Sequence, residues 1–417
     1  MNNYYTVQTN FYGKTTPDEL LKEFGSPLYV YNEEIFRKSC KDMANLIPLE
    51  KFKSNFSIKA NSNLELLKIA HEEGLHADAM SPGEIFVLLM AGFKPEEILY
   101  ISNNVSEEEM KYAIDKGILV SVDSLSQLEM LGRINNGGKV AIRFNPGVGA
   151  GHHEKVITGG KKTKFGVNLD LIDEVKDILK KCNLKLAGIN QHIGSLFMEG
   201  SSYIEGVKSV LAIAKQFEDL EFVDFGGGFG IPYRKQEAQP RLDLNELGES
   251  LADTVKEWTR EYGKDIKIKI EPGRYIAAES GVILGSVYAI KKNYGHTYVG
   301  TDLGFNTLMR PVMYDSYHEI EVYKNGKIAV DGTDMEVVDI VGNICESGDI
   351  MAKERNLPVI NEGDIIGVMD AGAYGYSMAS NYNNRLRPAE VLIKLDGTAK
   401  LIRRRDTFED LVRNFDI

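Results

Sequence analysis

Between about residue 55 and residue 271, short β-prone runs alternate with amphipathic stretches, and this alternation limits the fold more than any other feature of the chain. Runs at Phe56–Ile58, Ala77–Ala79, Ile98–Ile101, Leu119–Val122, Val140–Phe144, Gly188–Gln191, Phe222–Phe225 and Ile266–Ile270 predict strands. Apolar residues at helical spacing in Leu64–Ala70, Pro82–Met90, Ser106–Ile114 and Ile204–Phe217 predict helices between them. Such repeated β/α units suit a (β/α)8 barrel, with a doubly wound open sheet as the alternative. The strand ends favour the barrel. Lys59, Asp78, Ser102-Asn103, Asp123, Asn145-Pro146, His192, Gly226–Gly230 and Glu271 all fall at or just after strand C-termini. A barrel gathers those ends on one face, whereas an open sheet spreads them along an edge.

After Gly273 the pattern changes to short strands with turn signals. Asn325-Gly326, between Ile320–Tyr323 and Ile328–Val330, predicts a type I′ hairpin, and Asp396-Gly397 predicts another. We therefore expect a (β/α)8 barrel over residues 36–275, with a C-terminal β-sandwich or barrel-like domain over 276–417 and residues 1–35 packing on it. A length of 417 residues fits two domains. The 61 acidic residues outnumber the 49 basic ones, a net charge of −12 that argues against nucleic acid or an anionic membrane as partner. Three scattered cysteines, Cys40, Cys182 and Cys345, give neither a disulfide framework nor a metal-ligand spacing. With no signal-like N-terminus and no long apolar run, a cytoplasmic, reducing compartment is expected, and no metal site.

Five stretches carry chemistry. Lys59, in Ile58-Lys59-Ala60-Asn61, is an amine at a strand end that captures an aldehyde if its surroundings favour the neutral form; a solvated lysine is the ordinary alternative. Asp224-Phe225-Gly226-Gly227-Gly228-Phe229-Gly230 lets backbone amides approach an anion, and it lacks the dinucleotide spacing, so a lone phosphate is the better ligand than a flexible turn alone. His192-Ile193-Gly194-Ser195 offers an imidazole to lie against a flat ring and a hydroxyl for phosphate, against the reading of a core histidine. Glu271-Pro272-Gly273-Arg274 offers a carboxylate that holds a pyridine nitrogen protonated and an arginine for phosphate or carboxylate. Cys345-Glu346-Ser347-Gly348-Asp349 offers a thiol as proton donor and an acid for a substrate ammonium, where an inert buried cysteine is the default. Arg310-Pro311-Val312-Met313-Tyr314 and Gly372-Ala373-Tyr374-Gly375-Tyr376 add a cation and exposed-looking tyrosines.

Taken in order, and with Leu308-Met309-Arg310-Pro311 and Tyr382-Asn383-Asn384-Arg385-Leu386-Arg387-Pro388-Ala389-Glu390, these motifs resemble the fold type III pyridoxal-phosphate decarboxylases, most closely the branch that acts on diaminopimelate. The resemblance runs over nearly the whole chain. It implies pyridoxal 5′-phosphate in an N-terminal barrel, a C-terminal β-domain and a head-to-tail homodimer. It implies that Lys59 holds the cofactor covalently, that His192 stacks on its ring and that Glu271 faces its nitrogen. Ser195, Gly227, Gly228, Gly273, Arg274 and Tyr374 match phosphate and cofactor positions, with Asp78 beside them. Arg274, Arg310, Tyr314, Glu346 and Tyr374 match positions that grip the substrate, and Cys345 matches a proton donor reaching the neighbouring subunit's site. The expected reaction is decarboxylation of meso-2,6-diaminopimelate at its D-centre to L-lysine. D-lysine, D-ornithine and carboxynorspermidine are the rival substrates, and a non-catalytic cofactor-binding regulator is the rival of another class. The loop from Gly149 to Gly160, with His152-His153, departs from the family's Thr-His and aromatic pattern, which bears on substrate choice.

Overall fold

The computed structural model describes residues 4–147, 150–151, 163–330, 332 and 334–416. The chain divides into two compact units: Ser39–Ile231 with Arg241–Tyr275, and Met1–Lys38 with Pro232–Pro240 and Ile276–Ile417. His152 and His153 lie outside the described residues. The first strand, β1 (Leu28–Asn32), belongs to the latter unit.

The former unit is a closed barrel of eight parallel strands: β2 (Phe52–Ser57), β3 (His76–Ala79), β4 (Ile98–Ile101), β5 (Leu119–Val122), β6 (Lys139–Asn145), β7 (Lys185–Asn190), β8 (Phe222–Asp224) and β9 (Lys267–Ile270). Each strand pairs with the next, β5 with β6 included, and β9 returns to β2 through Ile268 opposite Phe52. That closure rules out the open sheet. Between the strands, helices such as Leu64–Glu72, Pro82–Ala91, Glu107–Asp115 and Leu244–Tyr262 begin at side-chain caps from Asn63, Ser81, Ser106 and Asp243. Ser106 is thus the cap of its helix rather than its first residue.

Side chains on a strand alternate between faces, so every second residue points into the barrel. At one level the inside is apolar, a cluster of Leu99, Ile101, Ala141, Ala187 and Phe222. Gly188 makes room for it: a Cβ there would stand 2.3 Å from the Phe222 ring. Further along, the inside turns polar. The Ser121 hydroxyl donates to Asn190 Oδ1 at 2.7 Å, across the intervening strand β6.

Several strand ends differ from the sequence reading by a residue or more. Strand β2 stops at Ser57, because the Ala60 amide bonds back to the Ser57 carbonyl (3.1 Å) and carries Ile58 and Lys59 out of the ladder. Likewise β7 and β8 end at Asn190 and Asp224, leaving Gln191 and Phe225 in the connections.

The other unit is built on a mixed sheet of β10 (Gly281–Asn293), β11 (His296–Thr301), β12 (Ile320–Lys324), β13 (Met335–Val341), β14 (Ile350–Pro358), β15 (Ile365–Val368), β16 (Ala389–Ile393) and β17 (Ala399–Arg403), together with β1. β1 pairs with β10 antiparallel and β16 parallel, and its Leu28 and Val30 join a core with Phe11, Leu20, Leu284, Met369 and Val391. Asn325 and Gly326 both have positive φ (49° and 74°), as a type I′ turn requires. Asp396-Gly397 does not form that turn: Gly397 alone is left-handed (80°), and the Lys394 amide meets the Thr398 carbonyl at 2.9 Å across a longer loop.

Candidate functional site

The barrel's strand C-termini bring Lys59, Asp78, His192, Ser195, Gly227, Gly228, Glu271, Gly273 and Arg274 to one mouth. Lys59 stands in the turn after β2 and is exposed. Its ammonium acts electrostatically on Asp78, Glu84, His192 and Glu271, which fixes it among them.

Asp78, on β3, is paired in register with Ser57, whose hydroxyl donates to Asp78 Oδ2 at 2.9 Å. Burial pushes the Asp78 carboxyl up to about 8, with the Lys59 charge acting the other way. Its second oxygen, Oδ1, is buried and has no hydrogen-bond partner among the described residues.

His192 follows β7. Its Nδ1 accepts the Gly227 amide at 3.1 Å, so the ring's proton sits on Nε2. Burial holds the imidazole well below its ordinary range, and Lys59 and Arg143 push the same way. The ring is therefore neutral, a flat surface fixed by a backbone bond.

The glycine run after β8 is a close backbone approach. Gly226 (φ 75°) donates its amide to Asp224 Oδ1 at 2.9 Å and accepts from the Glu271 amide at 3.0 Å and the Tyr203 hydroxyl at 2.9 Å. Gly228 has φ 111°, a value that L side chains rarely adopt. Beside this run Arg274, directly after Gly273 and mostly buried, donates to the Ser195 hydroxyl at 3.0 Å.

Glu271 directly follows β9 and is buried. Burial raises its carboxyl well above the usual range, and Asp224 and Asp78 add to the rise while Arg143 and Lys59 oppose it. Oε1 of Glu271 is buried without a hydrogen-bond partner among the described residues.

Sequence reasoning missed Arg143 and gave Asp224 no role of its own. Arg143, half-buried on β6, lies over the Phe165 ring at 4.5 Å and interacts electrostatically with Glu271 and Asp123. A charge inside the otherwise apolar run Val140–Phe144 was the available signal.

The remaining predicted residues lie in the other unit. Cys345 is exposed, which overturns the default of a buried inert thiol, and its amide donates to Asn383 Oδ1 at 2.8 Å. Exposed Glu346 accepts from the Tyr382 hydroxyl. A cavity of about 1050 Å³ has Cys345, Asn383, Arg385, Thr307 and Tyr298 in its lining. Arg310 is buried: it donates to His318 Nε2 at 2.8 Å and to Ser316 at 3.2 Å, and lies over the Tyr233 ring at 4.9 Å. His318 in turn donates through Nδ1 to the Met369 carbonyl at 2.7 Å, which fixes its tautomer. Tyr314 closes the short helix Arg310–Tyr314, and Tyr374 has φ 56°. Both, like Tyr376, are half-buried rather than exposed.

Residues 33–278 match the family model described as pyridoxal-dependent decarboxylase, pyridoxal binding domain. The chain is 43% identical over 404 residues to a diaminopimelate decarboxylase of Methanothermobacter thermautotrophicus, covering 95% of this chain and 92% of that protein. It is 34% identical over 421 residues to a diaminopimelate decarboxylase of Escherichia coli, covering 95% and 96%. A solved diaminopimelate decarboxylase from Helicobacter pylori, complexed with L-lysine, superposes with a TM-score of 0.86 at 32% identity, over 95% of this chain and 98% of that one. With a closed barrel whose mouth carries these residues, the chain belongs to the diaminopimelate decarboxylases, a family of pyridoxal-dependent amino-acid decarboxylases.

Proposed function

We propose that this protein binds pyridoxal 5′-phosphate at the barrel mouth and decarboxylates meso-2,6-diaminopimelate at its D-centre, giving carbon dioxide and L-lysine. One observation carries the reading: an amine, a neutral imidazole, glycine amides and a buried carboxyl with an unpartnered oxygen surround a single barrel mouth. The residues fit the cofactor part by part. Lys59 matches its aldehyde, His192 its ring face, and Glu271 its nitrogen. Asp78 stands beside Lys59, with an unpartnered oxygen of its own. Ser195, Gly227, Gly228, Gly273 and Arg274 match its phosphate, with Tyr374 assigned to the same end.

When bound, pyridoxal phosphate supplies an aldehyde that condenses with amines and a protonated ring that takes up the electron pair left by departing carbon dioxide. The chain's own groups do the rest. Lys59 holds the cofactor between turnovers and gives way to the substrate amine. Neutral His192 covers one ring face without adding a positive charge that would compete for electrons. Glu271 keeps a proton at the nitrogen end, where its raised proton affinity opposes loss to solvent. Cys345 is assigned as proton donor to the substrate carbon, and its exposure supports that role. Arg274, Arg310, Tyr314, Tyr374 and Glu346 are assigned to the substrate's ammonium and carboxylate groups. A site that hydrogen-bonds those groups rejects substrates lacking them, because a buried partner is then left unpaired.

We assign the working form as a homodimer in which Cys345 of one protomer completes its partner's site, and the compartment as the cytoplasm. No helix among the described residues is long and apolar enough to cross a membrane. The test is borohydride reduction of the cofactor-loaded protein with peptide mapping, together with product identification. The reading requires the adduct at residue 59 and L-lysine from meso-diaminopimelate. An adduct elsewhere, or a higher kcat/KM with D-lysine, D-ornithine or carboxynorspermidine, refutes it.

A further inference from the structure

We propose that Asp224 is a positioning residue for the cofactor's ring end: one carboxylate oxygen clamps the Gly226 amide, while the other sets the charge on Glu271. The inference rests on Glu271 facing the ring nitrogen.

The geometry begins with Gly226, which ties the two acids together. Its amide donates to Asp224 Oδ1 at 2.9 Å, and its carbonyl accepts the Glu271 amide at 3.0 Å. The glycine run assigned to the phosphate and the carboxyl assigned to the nitrogen thus share one backbone residue. Asp224 is 0% exposed, at the end of β8, and pairs in register with Lys269 on β9, two residues before Glu271. Alternation puts Asp224, Lys269 and Glu271 on the inner face.

The turn alone does not account for an acid here. Asparagine or serine makes the same side-chain bond to an amide two residues on, without a buried charge. A buried carboxylate is costly unless its oxygens are satisfied, yet Asp224 Oδ2 has no hydrogen-bond partner by geometry among the described residues. It interacts instead with Glu271, whose Oε1 is likewise buried and unpartnered. One proton held between the two carboxyls relieves both.

Burial raises the Asp224 carboxyl to about 6, with the Gly226 amide and then Lys269 acting to lower it. Glu271 rises well above its ordinary range. The two acids therefore titrate as a pair that holds one proton and carries one negative charge between them. Lys269, over the Phe222 ring at 4.5 Å, balances that charge from the other side, and Tyr203, Asp78, Arg143 and Lys59 are the other titratable groups acting on the pair. An anion fixed behind Glu271 strengthens the hold on a proton in front of it, where the ring nitrogen is assigned.

The test compares the apoprotein's affinity for pyridoxal phosphate with its affinity for the carbocyclic analogue that has CH in place of the ring nitrogen. Wild-type protein should prefer the pyridine. In Asp224→Asn and in Asp224→Ser, which keep an acceptor for Gly226 but lose the charge, that preference should fall about tenfold, the equivalent of one pKa unit. Affinity for the carbocycle should stay within about twofold of wild type, since the turn is kept. Asp224→Ala should weaken both ligands. A preference undiminished in both the Asn and the Ser variants refutes the proposal, as does an equal loss for the two ligands, which would make Asp224 a turn residue only. Wild-type protein indifferent to the nitrogen instead refutes the Glu271 assignment, and the proposal with it.

Discussion

Gly227→Ala tests whether the backbone contact between the glycine run and Glu271 organises the site. Gly227 is not in the left-handed region, so alanine brings no conformational strain there. The space is the difficulty. A Cβ on Gly227 would stand 2.0 Å from the Glu271 carbonyl oxygen, 2.9 Å from its carbon and 3.6 Å from His192 Cε1. Real Cβ atoms essentially never approach closer than 3.0 Å, so the contact must open by at least about 1 Å. Neither side yields freely. The Glu271 amide is held by Gly226 at 3.0 Å, and its carbonyl accepts from Ser57 at 3.4 Å. The Gly227 amide is held by His192 at 3.1 Å. Overpacking costs about 1–3 kcal/mol, and a strained or lost hydrogen bond about 1 kcal/mol more. The restricted unfolded chain returns about 0.4–1 kcal/mol. The net loss is about 1–3.5 kcal/mol, or about 2–14 °C in Tm for a unit of this size. Scanning calorimetry on the apoprotein and equilibrium dialysis with pyridoxal phosphate would show both a lower Tm and weaker binding. The control is Gly74→Ala, where φ is 82° but nothing lies within 4 Å of the added Cβ. That variant should lose some stability and bind cofactor normally. If Gly227→Ala melts and binds like wild type, the tight approach does not organise the site.

Cys345→Ala should lower kcat by about 100-fold, the lower range for a lost general acid. Its cofactor absorbance and Kd should stay at wild-type values; unchanged turnover removes Cys345 as donor. His76→Gln should flatten the acid limb of stability. Burial first, then Lys269 and Lys53, lowers the His76 imidazole to about 4, and its Nδ1 is buried without a partner among the described residues. The unfolded chain therefore takes up a proton near pH 6.5 while the fold does not. This stability is complete above that pH and is lost as pH falls towards 4. Discounted for partial exposure, wild type should lose about 1 kcal/mol more than His76→Gln between pH 7 and pH 5 in urea titrations. Equal losses refute the assignment.

The barrel was legible because its strands announce themselves twice, by apolar runs and by the polar or glycine residues that end them. Ile98–Ile101 and Leu119–Val122 were read to the residue, since turn signals bound them on both sides. Reading was poorest where a backbone bond, invisible in composition, ends a strand: the Ala60 amide on the Ser57 carbonyl stops β2 one residue before the expected Ile58. The Asp396-Gly397 turn was misread because the dipeptide serves more than one hairpin class, and the length of the loop decides between them. Arg143 and Asp224 escaped as functional residues for a different reason. Their importance comes from neighbours on other strands, through parallel register that one sequence does not display.

That register also explains how one barrel supports both packing and chemistry. Along the inner face of β8, Phe222 fills the apolar layer and Asp224, two residues on, enters the polar one. On β6, Ala141 and Arg143 repeat the step, as do Leu119 and Ser121 on β5. A strand of three to seven residues has room for only two or three inward positions. The strands therefore divide them, apolar nearer their N-termini and polar at the C-terminal mouth. Moving an acid one layer down would place it among Leu99, Ile101 and Phe222 with no hydrogen-bonding group to meet it. Moving an apolar residue one layer up would remove a charge that the opposing charges on neighbouring strands need. The polar layer is tolerable because its members offset one another, Arg143 against Glu271 and Lys269 against Asp224. The Asp78 oxygen left without a hydrogen-bond partner among the described residues marks where that compensation stops and where a bound group has something to gain.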